Sequence, residues 1–219
     1  MKLFADTGNL KEREALASLG ILDGVTTNPS LMAKESGDPR QILKQICALV
    51  KGPVSAEVVA TDAAGMIREG RDLAAIDEHI VVKVPFTKDG VKACKTLASE
   101  GLRVNVTLIF SATQAWLAAK VGAAYVSPFV GRLDDVGTTG MNLVREIVDI
   151  FDNFEYSTEV LVASVRNPIH IVEAARMGAD VVTVPSAVIE QSFKHPLTDI
   201  GLAKFLQDWE KAQAAAAKA

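Results

Sequence analysis

Ile80-Val81-Val82-Lys83-Val84-Pro85 is a short apolar run closed by proline, with β-branched residues on both sides of one lysine. A run of this length without polar alternation reads as a strand covered on both faces, as in a parallel sheet. Lysine is rarely buried, because removing an ammonium from water is costly unless it is paired or gives up its proton. Lys83 therefore breaks the local rule, and such breaks gather at functional sites.

The same grammar repeats on either side of this run. Apolar runs are expected as strands at Lys2–Asp6, Gly24–Thr27, Val54–Val58, Arg103–Leu108, Ala123–Ser127, Glu159–Ser164 and Asp180–Val184. Helical patterns separate them, at 10–19, in a stretch interrupted at 37–39 that ends at Val50, and at 62–76, 88–99, 111–121, 140–151 and 168–178. Residues 187–193 and 198–211 close the chain as helices, and the Ala-rich 212–219 is expected to be a frayed tail. The longest polar interruption, Phe129–Thr139, is expected to be a loop. Eight strands, each followed by helix, predict one α/β domain over 1–219, a closed (β/α)8 TIM barrel with an extra C-terminal helix. Each unit spans about 27 residues, near the roughly 30 of a typical barrel. An open doubly wound sheet would carry a Gly-rich phosphate turn early, whereas the first turn here is Asp6-Thr7-Gly8-Asn9.

Composition narrows the function classes. Hydrophobic residues at 49% and charged residues at 23% suit a soluble globular chain of 219 residues, long enough for a substantial core. A net charge of −4 without a basic block argues against nucleic-acid or anionic-membrane partners. No leader or membrane-spanning stretch is expected. Cys47 and Cys94 lack metal-ligand or pairing spacing, so they read as reduced core residues of a cytoplasmic protein. His79, His170 and His195 are scattered and read as surface or helix-end residues.

Active sites of such barrels lie at the C-terminal strand ends. There the chain places Asp6, Thr27-Asn28, Glu57, Lys83, Asn105, Thr107, Ser127, Ser164-Val165-Arg166 and Thr183, with Arg132 in the loop after strand six. Lys83 has two ways to live in this wall. One is a permanent ion pair with Asp6 or Glu57. The other is a depressed pKa, roughly 7–8 for a lysine in an apolar wall, leaving a free amine to attack a carbonyl. The converging set favours the second. Asp6 and Glu57 could each cap the following helix, but Thr7 or Asn9 can serve the first helix and free Asp6 to point inward. One carboxylate could take a substrate hydroxyl proton while the other, with Thr107, holds a water near Lys83. Arg132, Arg166 and Ser164 suit a dianionic phosphate, with ion pairing of Arg132 to Asp134-Asp135 as the competing use. These residues describe a barrel enzyme acting on a phosphorylated carbonyl compound through a lysine imine, with carbon–carbon bond making or breaking as its natural use.

Six segments also carry a resemblance. Asp6-Thr7-Gly8-Asn9, Gly24-Val25-Thr26-Thr27-Asn28-Pro29, Val82-Lys83-Val84-Pro85, Asn105-Val106-Thr107-Leu108, Ser127-Pro128-Phe129-Val130-Gly131-Arg132 and Ala163-Ser164-Val165-Arg166-Asn167 resemble, in order, the transaldolases. The short length is similar to the compact branch that also contains fructose-6-phosphate aldolases. The resemblance implies that Lys83 forms a Schiff base with a ketose phosphate, fructose 6-phosphate or sedoheptulose 7-phosphate. It implies transfer of the dihydroxyacetone unit to erythrose 4-phosphate or glyceraldehyde 3-phosphate, in the non-oxidative pentose phosphate pathway. By the same resemblance Asp6 is the acid/base on the substrate hydroxyl, and Glu57 and Thr107 hold the catalytic water. Asn28, Asn105 and Ser127 orient the dihydroxyacetone hydroxyls and the imine, and Arg132, Ser164 and Arg166 bind phosphate. It implies no metal and no organic cofactor, and a homo-oligomer, pentamer or decamer, in which the C-terminal helix reaches a neighbour. The apolar face of Leu202, Phe205, Leu206 and Trp209 suits that packing, and equally suits docking on its own barrel. Aldolase members resemble the pattern with glutamine at position 57 and tyrosine at 129; Glu57 and Phe129 here point to transfer over release of free dihydroxyacetone. Two other readings stand beside this one, a sugar-phosphate-binding barrel without chemistry and a phosphosugar isomerase using Glu57 as base.

Overall fold

Each strand pairs in parallel with the strands before and after it in the chain, and the last closes on the first. In a computed structural model, which describes residues 1–217 apart from the side chains of Leu10, Lys11 and Arg13, the eight strands are β1 Lys2–Asp6, β2 Gly24–Thr26, β3 Val54–Glu57, β4 Ile80–Pro85, β5 Val104–Ile109, β6 Tyr125–Pro128, β7 Glu159–Val162 and β8 Val181–Val184. The helices are α1 Leu10–Ser18, α2 Pro29–Met32, α3 Pro39–Val50, α4 Ala63–Ala74, α5 Lys88–Ser99, α6 Ala112–Lys120, α7 Val130–Asp134, α8 Gly140–Asn153, α9 Pro168–Arg176, α10 Ser186–Ser192 and α11 Pro196–Ala216. The expected (β/α)8 TIM barrel with a C-terminal helix is therefore the fold.

Local chemistry starts most of these helices. A side chain accepts from the first-turn amides at Asn9, Asn28, Asp38, Asp62, Thr87, Ser111 and Asn167. Such caps satisfy amides that have no partner inside the helix. In α2, α3, α9 and α11 proline follows directly, where its missing N–H costs nothing and its φ already suits the helix.

The wall separates two apolar regions. Val82, Val84, Val104, Val106, Val126 and Val162 face outward into one large core shared with the helices. Phe4, Val81, Tyr125, Leu161 and Val181 form a second, smaller cluster inside the barrel. Because side chains alternate along a strand, Lys83 lies on the face of Val81, one step toward the C-terminal end. The apolar plug thus ends where the polar layer begins.

Three expectations shift. The presumed loop 129–139 contains α7, anchored by the Val130 and Gly131 amides, which donate to the Ala163 and Ser164 carbonyls at 3.0 Å each. β7 stops at Val162, two residues short, because the chain turns at Ser164 into the left-handed region (φ 61°). α11 starts at Pro196 and continues through Ala216, so most of the presumed tail is helical, while 218–219 lie outside the described residues. None of its residues is buried, and Phe205, Leu206 and Trp209 face solvent in the single chain. No helix is long and apolar enough to cross a membrane, among the described residues.

Candidate active site

Strand register places Glu57 beside Lys83 and Lys83 beside Asn105. Lys83 is 5% exposed. Its Nζ lies 2.9 Å from Glu57 Oε2 and donates to the Thr27 carbonyl at 3.1 Å. Of the two ways to accommodate this lysine, the chain shows the ion pair, with Glu57 and not Asp6 as partner. The pair keeps a carboxylate within hydrogen-bond distance of the amine, the geometry a general base requires. Both groups open onto solvent-accessible space: Lys83 lines a cavity of about 200 Å³, and both line a wider recess beside it.

Thr107 borders the cavity and the recess. Its hydroxyl is the one buried side-chain polar atom without a hydrogen-bond partner among the described residues. Buried polar groups are normally paired. An unpaired hydroxyl next to a lysine and a carboxylate is a place for a substrate oxygen or a water.

Asp6 takes part through a relay of hydroxyls. Asn9 caps α1, accepting from the Glu12 amide, and so leaves Asp6 free. The Thr26 hydroxyl donates to Asp6 Oδ1 at 2.8 Å, and Thr183 Oγ1 lies 2.6 Å from Thr26 Oγ1. With the Thr26 proton spent on Asp6, Thr183 is the donor in that second contact. Burial pushes the Asp6 carboxyl above the ordinary carboxylate range, opposed by the Thr26 hydroxyl and the Lys83 cation. A carboxyl so placed is suited to proton exchange with substrate.

The remaining predicted residues divide into those on the cavity and those behind it. Ser127 lines it and donates to Asn105 Oδ1 at 2.7 Å. Asn105 donates onward to Ser55 Oγ at 3.1 Å and is fully buried, so it supports Ser127 from behind the lining. Asn28 lines the cavity but spends its Oδ1 on the α2 N-cap, leaving its amide nitrogen for the site. Phe129 underlies Arg132, whose guanidinium sits 5.1 Å from the ring centroid. Arg132, Ser164 and Arg166 also line the cavity.

The competition foreseen for Arg132 falls elsewhere. Asp135 pairs with Arg166, at 2.7 Å and well exposed. Asp134 instead accepts from the Gly140 amide at 2.8 Å and lies 3.1 Å from His170 Nε2. His170, expected at the surface or a helix end, is in the first turn of α9 and only 7% exposed. Sequence reasoning also passed over Thr26 and Ser55. Ser55 lies two residues before Glu57 and Thr26 two before Asn28, so period-two alternation from those recognised residues points to both, while the pairing of Thr26 with Asp6 depends on strand register. Among the described residues no group of three or more His, Cys, Asp or Glu side chains is arranged to hold a metal ion.

Known proteins resemble this chain over nearly its whole length. The family model for transaldolase/fructose-6-phosphate aldolase matches residues 3–217. A probable transaldolase of Nitrosopumilus maritimus is 58% identical over 215 residues, covering 98% of this chain and 97% of that protein. A probable transaldolase of Syntrophobacter fumaroxidans is 58% identical over 217 residues, covering 97% and 98%. A third, from Kosmotoga olearia, is 55% identical over 211 residues, covering 96% and 97%.

Proposed function

The chain belongs to the transaldolase/fructose-6-phosphate aldolase family, and from that premise we propose that it transfers a dihydroxyacetone unit between sugar phosphates through an imine on Lys83. The observation that carries this is the Lys83 amine, 2.9 Å from Glu57 and lining a cavity that also presents the unpaired Thr107 hydroxyl, Arg132 and Ser164.

In this reading Glu57 takes the ammonium proton, and the free amine adds to the C2 carbonyl of fructose 6-phosphate or sedoheptulose 7-phosphate. Loss of water from the carbinolamine gives the protonated imine. Asp6 then accepts the C4 hydroxyl proton as the C3–C4 bond breaks. The electron pair passes into the imine as an enamine, and the aldose phosphate leaves. An incoming erythrose 4-phosphate or glyceraldehyde 3-phosphate takes the enamine carbon at its aldehyde, with the Asp6 proton returned to the new hydroxyl. Water held between Glu57 and Thr107 adds to the imine and releases product. Arg132, Ser164 and Arg166 receive the phosphate, a bidentate guanidinium being well matched to it. Glu57 and Phe129 favour transfer over free dihydroxyacetone release, and the relatives named above are called probable transaldolases. The cytoplasm suits two buried, unpaired thiols, Cys47 and Cys94.

The assembly proposed is a homo-oligomer in which α11 lies on a neighbouring subunit. Its solvent-facing Phe205 and Trp209, and the exposed Ile169 and Val172 of α9, support this.

Incubation with fructose 6-phosphate and borohydride, followed by mass measurement of the peptides, is expected to place a reduced dihydroxyacetone unit on Lys83. Lys83→Met should lose both adduct and turnover. Absence of an adduct on the wild type refutes the imine, and full activity of Lys83→Met would favour the isomerase reading. Turnover with and without erythrose 4-phosphate separates transfer from cleavage.

A further inference from the structure

The two halves of the anion-binding end come from different parts of the chain. Arg132 rides on α7, a helix of five residues, while Ser164 and Arg166 sit in the turn after β7. A dianion bridging them needs both halves at one separation, and α7 is too short to hold its own position by propensity. Two backbone bonds, from Val130 and Gly131 to Ala163 and Ser164, fasten its start. Its end is fastened by a side chain.

That side chain is His170. Its Nε2 lies 3.1 Å from Asp134 Oδ2, on the last residue of α7, and its Nδ1 accepts from the Arg166 backbone amide at 3.3 Å. Because Nδ1 is an acceptor, the proton of the neutral ring must sit on Nε2, where it donates to Asp134. One ring thus contacts both halves of the anion site. The other Asp134 oxygen accepts from the Gly140 amide, so the link extends to the start of α8. His170 is nine-tenths buried yet lines neither the cavity nor the recess near Lys83.

We propose that His170 is a positioning residue for the phosphate of the substrate, setting the distance between Arg132 and the Ser164–Arg166 turn by bridging Asp134 to the Arg166 amide. This rests on the sugar-phosphate reading above and names the residue that tunes its phosphate subsite. His170 touches no reacting atom, so its removal acts on binding of phosphorylated substrates and leaves the chemical step nearly unchanged.

The test uses three variants with fructose 6-phosphate and with unphosphorylated fructose as donors, and inorganic phosphate as competitive inhibitor. His170→Phe keeps the ring volume and loses both bonds. His170→Asn keeps an acceptor near the Nδ1 position, and His170→Gln keeps a donor near the Nε2 position. A displaced positioning group of this kind can change rates up to about a hundredfold, so His170→Phe is expected to raise KM for fructose 6-phosphate by about tenfold. The inhibition constant for inorganic phosphate should rise in parallel, with kcat within about twofold and fructose turnover unchanged. Partial rescue of KM by His170→Asn or His170→Gln supports the bridge, since space filling alone would favour Phe. A wild-type KM for His170→Phe overturns the inference. So does an equal fall with both donors, which would mark a general loss of structure. If the wild type forms no adduct or shows no preference for the phosphorylated donor, the functional reading fails first and takes this inference with it; a wild type that passes both while His170→Phe is silent sinks the inference alone.

Discussion

Thr107, Asp6 and the two cysteines each tie a single group's surroundings to something measurable. A buried hydroxyl left unpaired costs about 1–3 kcal/mol, and Thr107 carries one. Thr107→Val is therefore expected to keep or raise stability, by up to about 1 kcal/mol in urea unfolding, while turnover falls by about tenfold or more if the proposed water at the imine loses its anchor. A large loss of stability would mean that the hydroxyl is paired in solution. Asp6 carries a different conflict. Burial raises its carboxyl above the unfolded value, so the folded state holds the proton more tightly than the unfolded chain. Its contribution to stability is then fullest below the ordinary carboxylate pKa and is lost as pH rises through the folded one. Once ionised, as pH rises through that folded value, Asp6 weighs against the fold. Asp6→Asn should gain stability relative to wild type as pH rises from 4 to 7, with activity lower by about a hundredfold or more if Asp6 has the proposed acid/base role. Denaturant midpoints at the two pH values check the sign. Among the thiols, burial pushes Cys47 to about 11 and Cys94 to about 12. The thiolate is the reactive form, so neither should label with a disulfide reagent at pH 8 until the chain is unfolded, when both should.

The element that escaped sequence reasoning is α7. Five residues, Val-Gly-Arg-Leu-Asp, give too little length for a helical period to register, and the Asp135 and Gly137-Thr138-Thr139 that follow read as loop. What makes it a helix is its docking on the end of β7. Gly131 permits the approach: a Cβ there would overlap the Ser164 carbonyl oxygen and the Arg166 side chain. By contrast, the capped start of α9 was legible, because Asn167-Pro168 announces it locally, and the same signal at Asp38-Pro39, read as an interruption, is the start of α3. Gly131→Ala is expected to lose about 1–3 kcal/mol by overpacking against rigid backbone. Since Arg132 is the next residue, KM for fructose 6-phosphate should rise with it. Thermal unfolding read beside KM checks both, and an unchanged melting temperature would mean that α7 stands off β7 in solution.

At the scale of the molecule, the barrel was legible because it is written as repetition: apolar runs of three to six residues, each followed by helix. The site was legible at Lys83 and at the strand ends, where a polar group interrupts an apolar run. Its internal wiring was hidden, because it depends on which strands meet. Thr26 and Thr183 are 157 positions apart and touch only once β8 closes on β1 through the Phe4–Thr183 register. Alternation says which face a residue takes, and only closure says what it faces. The same limit applied to α11, whose apolar stripe could have lain on its own barrel. In the folded chain it does not: Ile200, Leu202, Phe205, Leu206 and Trp209 are all exposed, and no residue of the helix is buried. Most helical stability in proteins comes from packing an apolar face, so a 21-residue helix with none packed calls for a partner surface. In the proposed assembly a second copy of the chain would supply one in the exposed Ile169, Val172 and Phe193. Light scattering on the eluting wild type should therefore give a multiple of 23.3 kDa. Replacing Phe205 and Trp209 together with glutamate, exposed positions that a single barrel tolerates, should shift the population to monomer while Lys83 still traps dihydroxyacetone. A wild type that elutes at one chain's mass would refute the assembly and leave the chemistry of the barrel untouched, because every residue assigned to the site comes from one chain.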